Sequence, residues 1–129
     1  MSHTIKPTES ELEILNILWE KGPSTVRDVH EVLEKNKDAG YTTTLKLMQI
    51  MHEKTLVKRD ATNKSHVYTA NVSQEKTQSH LLKKLIDTAF NGSASQLVMQ
   101  ALGHSKTNSE ELLEIRKYLE EMEQRSKEH

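Results

Sequence analysis

The chain has 129 residues, with 18 lysines and arginines against 19 aspartates and glutamates, and it contains no cysteine. This length suits one domain or two small ones. No apolar run approaches the roughly 20 residues that cross a bilayer, and the first residues lack a secretory signal, so we expect no membrane insertion. Without cysteine there is no disulfide and no thiolate metal site, which favours a cytoplasmic location. The net charge of −1, taken over the whole chain, argues against a nucleic-acid partner.

Two helices are predicted near the start of the chain. The residues Thr-Glu-Ser-Glu at 8–11 have the pattern of a capping box, in which the first and last residues satisfy each other's backbone amides. Leucines then recur at helical spacing until a Gly-Pro pair at 22–23 ends the element. A second helix is expected to begin with Ser24 or Thr25 as its N-cap and to end within residues 36–40.

A third helix is predicted over residues 41–54, with Thr42 as its N-cap. Three helices joined by short turns form a trihelical helix-turn-helix. Two strand-like runs follow at 56–60 and 66–69, and the Asn-Lys pair between them favours a turn. A hairpin directly after the third helix makes the unit winged, and we assign it to residues 1–72.

Residues 73–129 are predicted to be helical. An apolar face spans 81–90, a short helix covers 95–102, and a last helix begins with Thr107 or Ser109 as its cap. Apolar faces of this size are usually removed from water. They either pack on each other within one chain or pack on the same elements of a second chain. Because two-fold dimers are the commonest oligomers, we expect a homodimer. The predicted interface comprises Leu81, Leu85, Phe90, Leu97, Leu102, Leu112, Ile115, Leu119 and Met122.

The predicted fold class is therefore mainly α. It consists of an N-terminal winged helix-turn-helix, with three helices and a β-hairpin wing, and a C-terminal helical dimerisation region. Signatures of catalysis are missing: there is no glycine-rich nucleotide loop and no P-loop. His30-Glu31 and His52-Glu53 each lack the second histidine that a zinc protease motif requires. We expect no enzymatic activity, no cofactor and no metal.

The third helix has an outer arc of mixed character. Thr44, Met48 and Met51 share its inner side. The opposite arc holds Thr43, Lys46, Leu47, Ile50 and Lys54. Hydroxyls and lysines can contact phosphates or base edges, and aliphatic groups can contact thymine methyls in the major groove. The alternative is that Leu47 and Ile50 pack on the first helix or on a partner chain.

Charge is distributed unevenly along the chain. Residues 41–70 hold five basic and two acidic residues, a net charge of +3, whereas residues 109–129 hold seven glutamates and four basic residues, a net charge of −3. Binding to phosphates depends on this local charge, so the balance of the whole chain does not exclude DNA. The predicted DNA-binding residues are Thr42, Thr43, Lys46, Leu47 and Ile50 at the major groove, with Arg59, Lys64 and Ser65 at the backbone or wing. The alternative function is a protein-interaction module that uses the winged fold without DNA.

At these residues the sequence resembles the penicillinase-repressor family of bacterial transcriptional regulators, which includes BlaI, MecI and CopY. Residues 7–33 resemble the family's opening, 40–60 its recognition helix, 63–70 its wing and 90–102 its dimerisation region. The resemblance implies a homodimeric winged-helix repressor that occupies an operator palindrome in double-stranded DNA and blocks transcription. It also implies, from several members, a membrane-bound sensor metalloprotease whose signal triggers cleavage of the repressor and releases the DNA.

The chain departs from the family pattern in three ways. Cleaved members carry an Asn-Phe bond in the fifth helix, where this chain has Gln100-Ala101, so cleavage at that bond does not carry over. The absence of cysteine excludes the Cys-rich tail of the copper-responsive members. Thr55 stands where the family usually has a glycine at the end of the recognition helix. Because a β-branched residue tolerates left-handed backbone poorly, we expect that helix to end differently here.

Overall fold

The structure, a computed structural model, describes residues 6–128. Its elements are α1 (Glu9–Lys21), α2 (Val26–Leu33), α3 (Tyr41–Glu53), β1 (Val57–Asp60), β2 (Val67–Ala70), α4 (Gln74–Ala89), α5 (Ala94–His104) and α6 (Ser109–Lys127). Three helices are followed by an antiparallel hairpin and three more helices, which confirms the mainly α fold with an N-terminal winged helix-turn-helix. Across 6–128 no helix is long and apolar enough to span a membrane, and no three potential ligands cluster as a metal site.

The chain divides into two compact units, with Leu82 the last residue of the first and Lys83 the first residue of the second. The first unit contains α1, α2, α3, the hairpin and the beginning of α4, and the second contains the rest of α4 with α5 and α6. The functional boundary predicted after residue 72 stays a prediction.

Capping boxes begin the first two helices. At α1 the Thr8 hydroxyl accepts the Glu11 amide at 3.2 Å, and the Glu11 carboxylate accepts the Thr8 amide at 2.8 Å. At α2 Thr25 and Asp28 make the same exchange at 3.1 and 3.0 Å. The capping box predicted at 8–11 is confirmed, and Thr25 is the cap of α2. Each box satisfies two amides that would otherwise lack a partner at the helix start.

The caps predicted for two later helices are wrong. The N-cap of α3 is Gly40, which makes no side-chain cap, because Thr42 already lies inside the first helical turn. The cap of α6 is Asn108, whose Oδ1 accepts the Glu111 amide at 2.8 Å, and it lies between the two candidates proposed from the sequence. Asparagine is as good an N-cap as serine or threonine, so each of the three consecutive residues at 107–109 could have capped the helix.

The core of the first unit lies between the three helices and the hairpin. Ile14 and Leu15 of α1, Val29 of α2, and Met48 and Met51 of α3 are fully buried in it. The hairpin pairs β1 with β2 antiparallel and contributes further buried side chains. This packing fixes the orientation of α3, because the buried side of that helix faces the core and leaves its other side in solvent.

Tyr68 of β2 connects the wing to the helices through its buried side chain and its backbone. Its side chain is buried in the core. Its backbone exchanges two hydrogen bonds with Ser24 in the turn between α1 and α2, at 3.0 and 2.8 Å. After the wing, the Val72 carbonyl accepts a hydrogen bond from Trp19 Nε1 of α1 at 3.0 Å. The base of the wing is therefore attached to both α1 and the start of α2.

The end of α3 differs from the expectation for Thr55. This residue adopts the left-handed conformation, with φ of 63°. Its amide donates to the His52 carbonyl at 3.1 Å, and the next amide, that of Leu56, donates to the Met51 carbonyl at 2.9 Å. These two bonds form a Schellman motif, the ending for which glycine is preferred. The helix therefore ends in the conformation that glycine usually adopts at this position. Met51 and Leu56, which make the second of these hydrogen bonds, are both buried in the core.

Replacing Thr55 with glycine is expected to raise the free energy of unfolding by up to about 1 kcal/mol. Left-handed backbone costs a residue with a Cβ about 1–2 kcal/mol, which exceeds the roughly 0.5–1 kcal/mol of extra backbone entropy that glycine loses on folding. Urea denaturation monitored by Trp19 fluorescence measures the change. Glu31→Gly, at an exposed position within α2 of the same compact unit, is the control and should lower stability. A Thr55→Gly protein less stable than the native one would refute the argument.

Candidate nucleic-acid interface

The solvent side of α3 is largely polar. Thr42, Thr43, Lys46 and Gln49 are exposed, on the side opposite the buried residues of the same helix. Leu47 is half-buried and packs against the core, in agreement with the packing alternative for this residue. Ile50 is also half-buried. This side can thus present hydroxyl, ammonium and amide groups to a ligand, with Ile50 as its partly exposed aliphatic group.

The wing carries the other predicted residues. Arg59, Lys64 and Ser65 are all exposed. Asp60 is held in a turn in which its carboxylate accepts the Thr62 amide at 3.0 Å and the Thr62 hydroxyl at 2.8 Å. These bonds lower the pKa of Asp60, so its negative charge persists and partly offsets the cations of the wing.

A groove of about 380 Å³ lies between α2, α3 and the wing, and we call it the wing groove. Arg59, Lys64 and Ser65 line it from the wing, so the structure brings these three predicted residues together. Arg27 at the start of α2 and Gln49 of α3 also line it. The remaining predicted residues, Thr42, Thr43, Lys46, Leu47 and Ile50, lie on α3 outside the lining of the groove.

Three residues of this surface were not predicted from the sequence. Gln49 follows Lys46 by three positions, so the helical period alone could have placed it on the exposed side. Tyr41 also lines the groove and is nearly half exposed. Arg27 gave no signal, because its place beside the wing depends on the backbone pairing of Ser24 with Tyr68.

Lys54, which the sequence placed on the outer arc of α3, is the C-cap of that helix and directs its ammonium to a carboxylate of α1, so its charge does not belong to this surface. Its Nζ lies 2.8 Å from Oε2 of Glu11, a residue with only 1% of its surface exposed. Burial raises the pKa of Glu11, but the hydrogen bond from the Lys54 ammonium, with those from Thr8, outweighs burial and holds the pKa below its ordinary value. One of the five cations counted in the positive region therefore neutralises an internal carboxylate.

The apolar side chains of the later helices are exposed or only half-buried in the described chain. Among the described residues, α4, α5 and α6 have no buried side chain. Of the predicted interface residues, Leu85, Leu112, Leu119 and Met122 are exposed, and Leu81, Phe90, Leu97, Leu102 and Ile115 are half-buried. Such a concentration of exposed apolar side chains is typical of a surface that another molecule covers.

Comparisons with known proteins identify relatives over most of the chain. A family model described as "Penicillinase repressor" matches residues 7–121. The penicillinase repressor of Staphylococcus aureus is 20% identical, over 88% of this chain and 90% of its own length. The methicillin resistance regulatory protein MecI of the same species is 23% identical, over 90% and 94%. The transcriptional regulator BlaI of Mycobacterium tuberculosis is 28% identical, over 88% and 82%. The family match covers most of the residues, and the chain belongs to the penicillinase repressor family.

Proposed function

We propose that the protein is a cytoplasmic transcriptional repressor that binds an operator palindrome in double-stranded DNA as a homodimer. One observation carries the DNA-binding part: the polar side of α3 and the cations of the wing are exposed on the same compact unit, and the wing groove separates them. The helix is the reading element and the wing contacts the neighbouring backbone. Membership of a repressor family supports the same proposal.

The exposed side of α3 supplies groups suited to the major groove. Thr42, Thr43 and Lys46 can donate to phosphates or base acceptors, and the Gln49 amide can both donate to and accept from an adenine edge. Ile50 offers part of its side chain to a thymine methyl. Leu47 contributes less than the sequence suggested, because part of its side chain packs on the core. Base discrimination therefore rests mainly on the polar residues of this helix.

The wing groove supplies positive charge beside that helix. Arg59 and Lys64 border it from the wing, and Arg27 borders it from α2. Guanidinium groups pair with phosphate oxygens through two parallel hydrogen bonds, which fixes orientation as well as affinity. Ser65 at the tip of the wing adds a hydroxyl donor. These residues would set the register of α3 on the duplex without reading bases themselves.

Replacing Lys46 and Lys64 together with alanine is expected to flatten the salt dependence of DNA binding. Removing one cation that neutralises a phosphate reduces the slope of log affinity against log salt by about 0.9, so the double substitution removes roughly two units per protomer. Fluorescence anisotropy with a labelled duplex, titrated from low to high salt, measures the slope. The duplex is the one that the native chain selects from a randomised library.

Lys117→Ala with Lys127→Ala is the matched control, because it removes two exposed cations of α6 that the proposal leaves off the DNA. Its slope should equal that of the native chain. An equal reduction in both double variants would mean that total charge, and not these two lysines, sets the affinity. A native chain that selects no duplex but forms a stable hetero-complex would favour the protein-interaction module instead.

The homodimer is supported by the state of the later helices. In the described chain α4, α5 and α6 bury no side chain, although leucine, valine and methionine recur along them. Leu112, Ile115, Leu119 and Met122 follow the three-four spacing of a coiled-coil seam on α6. A second copy presents the same seam, so a two-fold axis gives each apolar side chain a partner. Such a dimer carries two α3 helices to the two halves of a palindrome.

Release from DNA is proposed to depend on a membrane-bound sensor metalloprotease, and the family resemblance alone supports this step. Gln100 and Ala101 stand at the place of the bond that is cut in cleaved members, and both are exposed on α5. Because this pair differs from the Asn-Phe pair of cleaved members, cutting would have to occur at another bond, in a segment that opens locally. Mass spectrometry of the repressor from induced cells tests the idea. A chain that stays intact while its target genes are expressed would contradict it.

A further inference from the structure

His30 of α2 links that helix to the first turn of α3. Its Nδ1 lies 3.1 Å from the hydroxyl oxygen of Thr44, which is buried. Its Nε2 lies 3.2 Å from the carboxylate of Glu34 on the same helix. The ring also meets Tyr41 edge to face, with centroids 5.5 Å apart and planes at 83°. Only 13% of the His30 side chain is exposed, so its neighbours hold these contacts in place.

In the neutral form of His30, the partners of the ring favour the tautomer that carries its hydrogen on Nε2. An ionised carboxylate can accept hydrogen bonds but cannot donate them. The nitrogen that faces Glu34, Nε2, therefore carries the hydrogen. In the neutral ring Nδ1 is then an acceptor, and the Thr44 hydroxyl donates to it. The other acceptor near that hydroxyl, the Gly40 carbonyl in the same helix, is farther away at 3.4 Å. Thr44 thus joins α3 to α2 through a bond between helices.

The first turn of α3 depends on such links more than the first turns of α1 and α2 do. Its N-cap is glycine and makes no side-chain hydrogen bond, whereas α1 and α2 begin with complete capping boxes. A side-chain cap contributes about 1 kcal/mol to the order of a helix start. Without one, the position of Tyr41, Thr42 and Thr43 is set by contacts of this turn with other elements.

We infer that His30 is a positioning residue for DNA recognition, acting through the hydroxyl of Thr44. The inference rests on the proposed function, because Thr42 and Thr43 belong to the turn that His30 holds. Loss of the link would leave the phosphate contacts of the wing in place and misalign the reading side of α3. Specific binding would therefore weaken while non-specific binding, which depends on charge, would not.

Two substitutions of His30 separate its contacts. Asparagine places a polar atom where Nδ1 lies and keeps a partner for Thr44, whereas glutamine places one where Nε2 lies and keeps a partner for Glu34. Both variants lose the ring and its packing on Tyr41, so each controls for the other. His30→Asn should bind the selected duplex within about twofold of the native chain, and His30→Gln about tenfold more weakly, near the value of one hydrogen bond.

The same proteins are titrated with a scrambled duplex of equal length, and hydrogen exchange of the Thr44 amide is measured without DNA. Affinity for the scrambled duplex should be equal in all three proteins, and the amide should exchange faster in His30→Gln than in His30→Asn. Thr44→Val removes the hydroxyl and should weaken specific binding as His30→Gln does. The double variant His30→Gln with Thr44→Val should be no weaker than either single one.

Several results would overturn the inference. If the asparagine and glutamine variants bind the selected duplex with equal affinity, whatever its value, the hydrogen bond to Thr44 does not determine that affinity. A parallel loss on the scrambled duplex would show a general structural defect. If the native chain selects no duplex at all, the proposed function fails, and the exchange rates still decide whether His30 holds the first turn of α3.

Discussion

Replacing Lys54 with alanine is expected to lower the free energy of unfolding by about 2 kcal/mol at neutral pH, because it leaves a carboxylate buried without its partner. The Glu11 side chain is 2% exposed, and Lys54 Nζ lies 2.8 Å from it. Fully buried pairs cost about 3–5 kcal/mol when one partner is removed. The Lys54 side chain is 36% exposed, so water can enter after truncation and reduce the cost.

The cost of this substitution should shrink in acid. In the native protein the pKa of Glu11 lies below its ordinary value of 4.5, so the pair stabilises the fold fully above that pH. The stabilisation is lost as the pH falls through the depressed value. Without Lys54, burial is opposed only by the hydrogen bonds from Thr8, which raises the Glu11 pKa relative to the native protein. Protonation of Glu11 in mild acid then removes the unpaired charge, and the two proteins should approach each other in stability.

Urea denaturation at neutral pH and in mild acid, monitored by Trp19 fluorescence, measures both effects. Lys37→Ala is the matched control, since Lys37 pairs with Glu13 of the same helix α1 at 3.2 Å but both side chains are more than 40% exposed. Exposed pairs contribute about 0.2–1 kcal/mol, so this variant should lose little. If Lys54→Ala loses no more than Lys37→Ala, the Glu11 carboxylate is solvated and the argument for a buried pair is wrong.

The ion pair of Lys54 is a contact that the sequence did not predict. Its helical position places it near the outer arc of α3, and the sequence offers no reason to pair it with a residue 43 positions away. Glu11 has a visible local role in the capping box, and its second carboxylate oxygen is the one that Lys54 binds. A contact between a helix start and a distant helix end depends on packing, which periodicity does not determine. Local patterns therefore predicted the box and missed the ion pair.

The backbone conformation of Thr55 is a second feature that the sequence did not predict. The intrinsic preference of a β-branched residue predicted another ending for α3, and the left-handed backbone was kept because Met51 and Leu56 are buried on either side of the turn. The wing groove shows the same dependence on packing. Its wing residues were predicted from local charge, whereas Arg27 reaches it only through the pairing of Ser24 with Tyr68. Elements with local causes were thus predictable, and surfaces assembled from several elements were predictable only in part.

Replacing Leu112 and Leu119 together with aspartate is expected to convert the proposed homodimer to a monomer and to reduce affinity for the selected duplex by about 100-fold or more. Both leucines are exposed on the apolar side of α6 and lie one heptad apart. A carboxylate in an apolar interface must lose its hydration without gaining a partner, which opposes association. Linking two DNA-binding units raises their joint affinity about 10²–10⁴-fold over one unit, and a monomer loses that gain.

Sedimentation equilibrium measures the association state, and anisotropy with the selected duplex measures affinity. Lys117→Asp with Gln124→Asp is the matched control, because these residues are also one heptad apart on α6 but face away from the seam, and the change adds more negative charge. It should leave the dimer intact, so a monomer in this control would point to charge repulsion. Unchanged Trp19 fluorescence in the leucine variant would show that the first unit remains folded. A leucine variant that stays dimeric would place the interface elsewhere, and a monomer with native affinity would separate dimerisation from DNA binding.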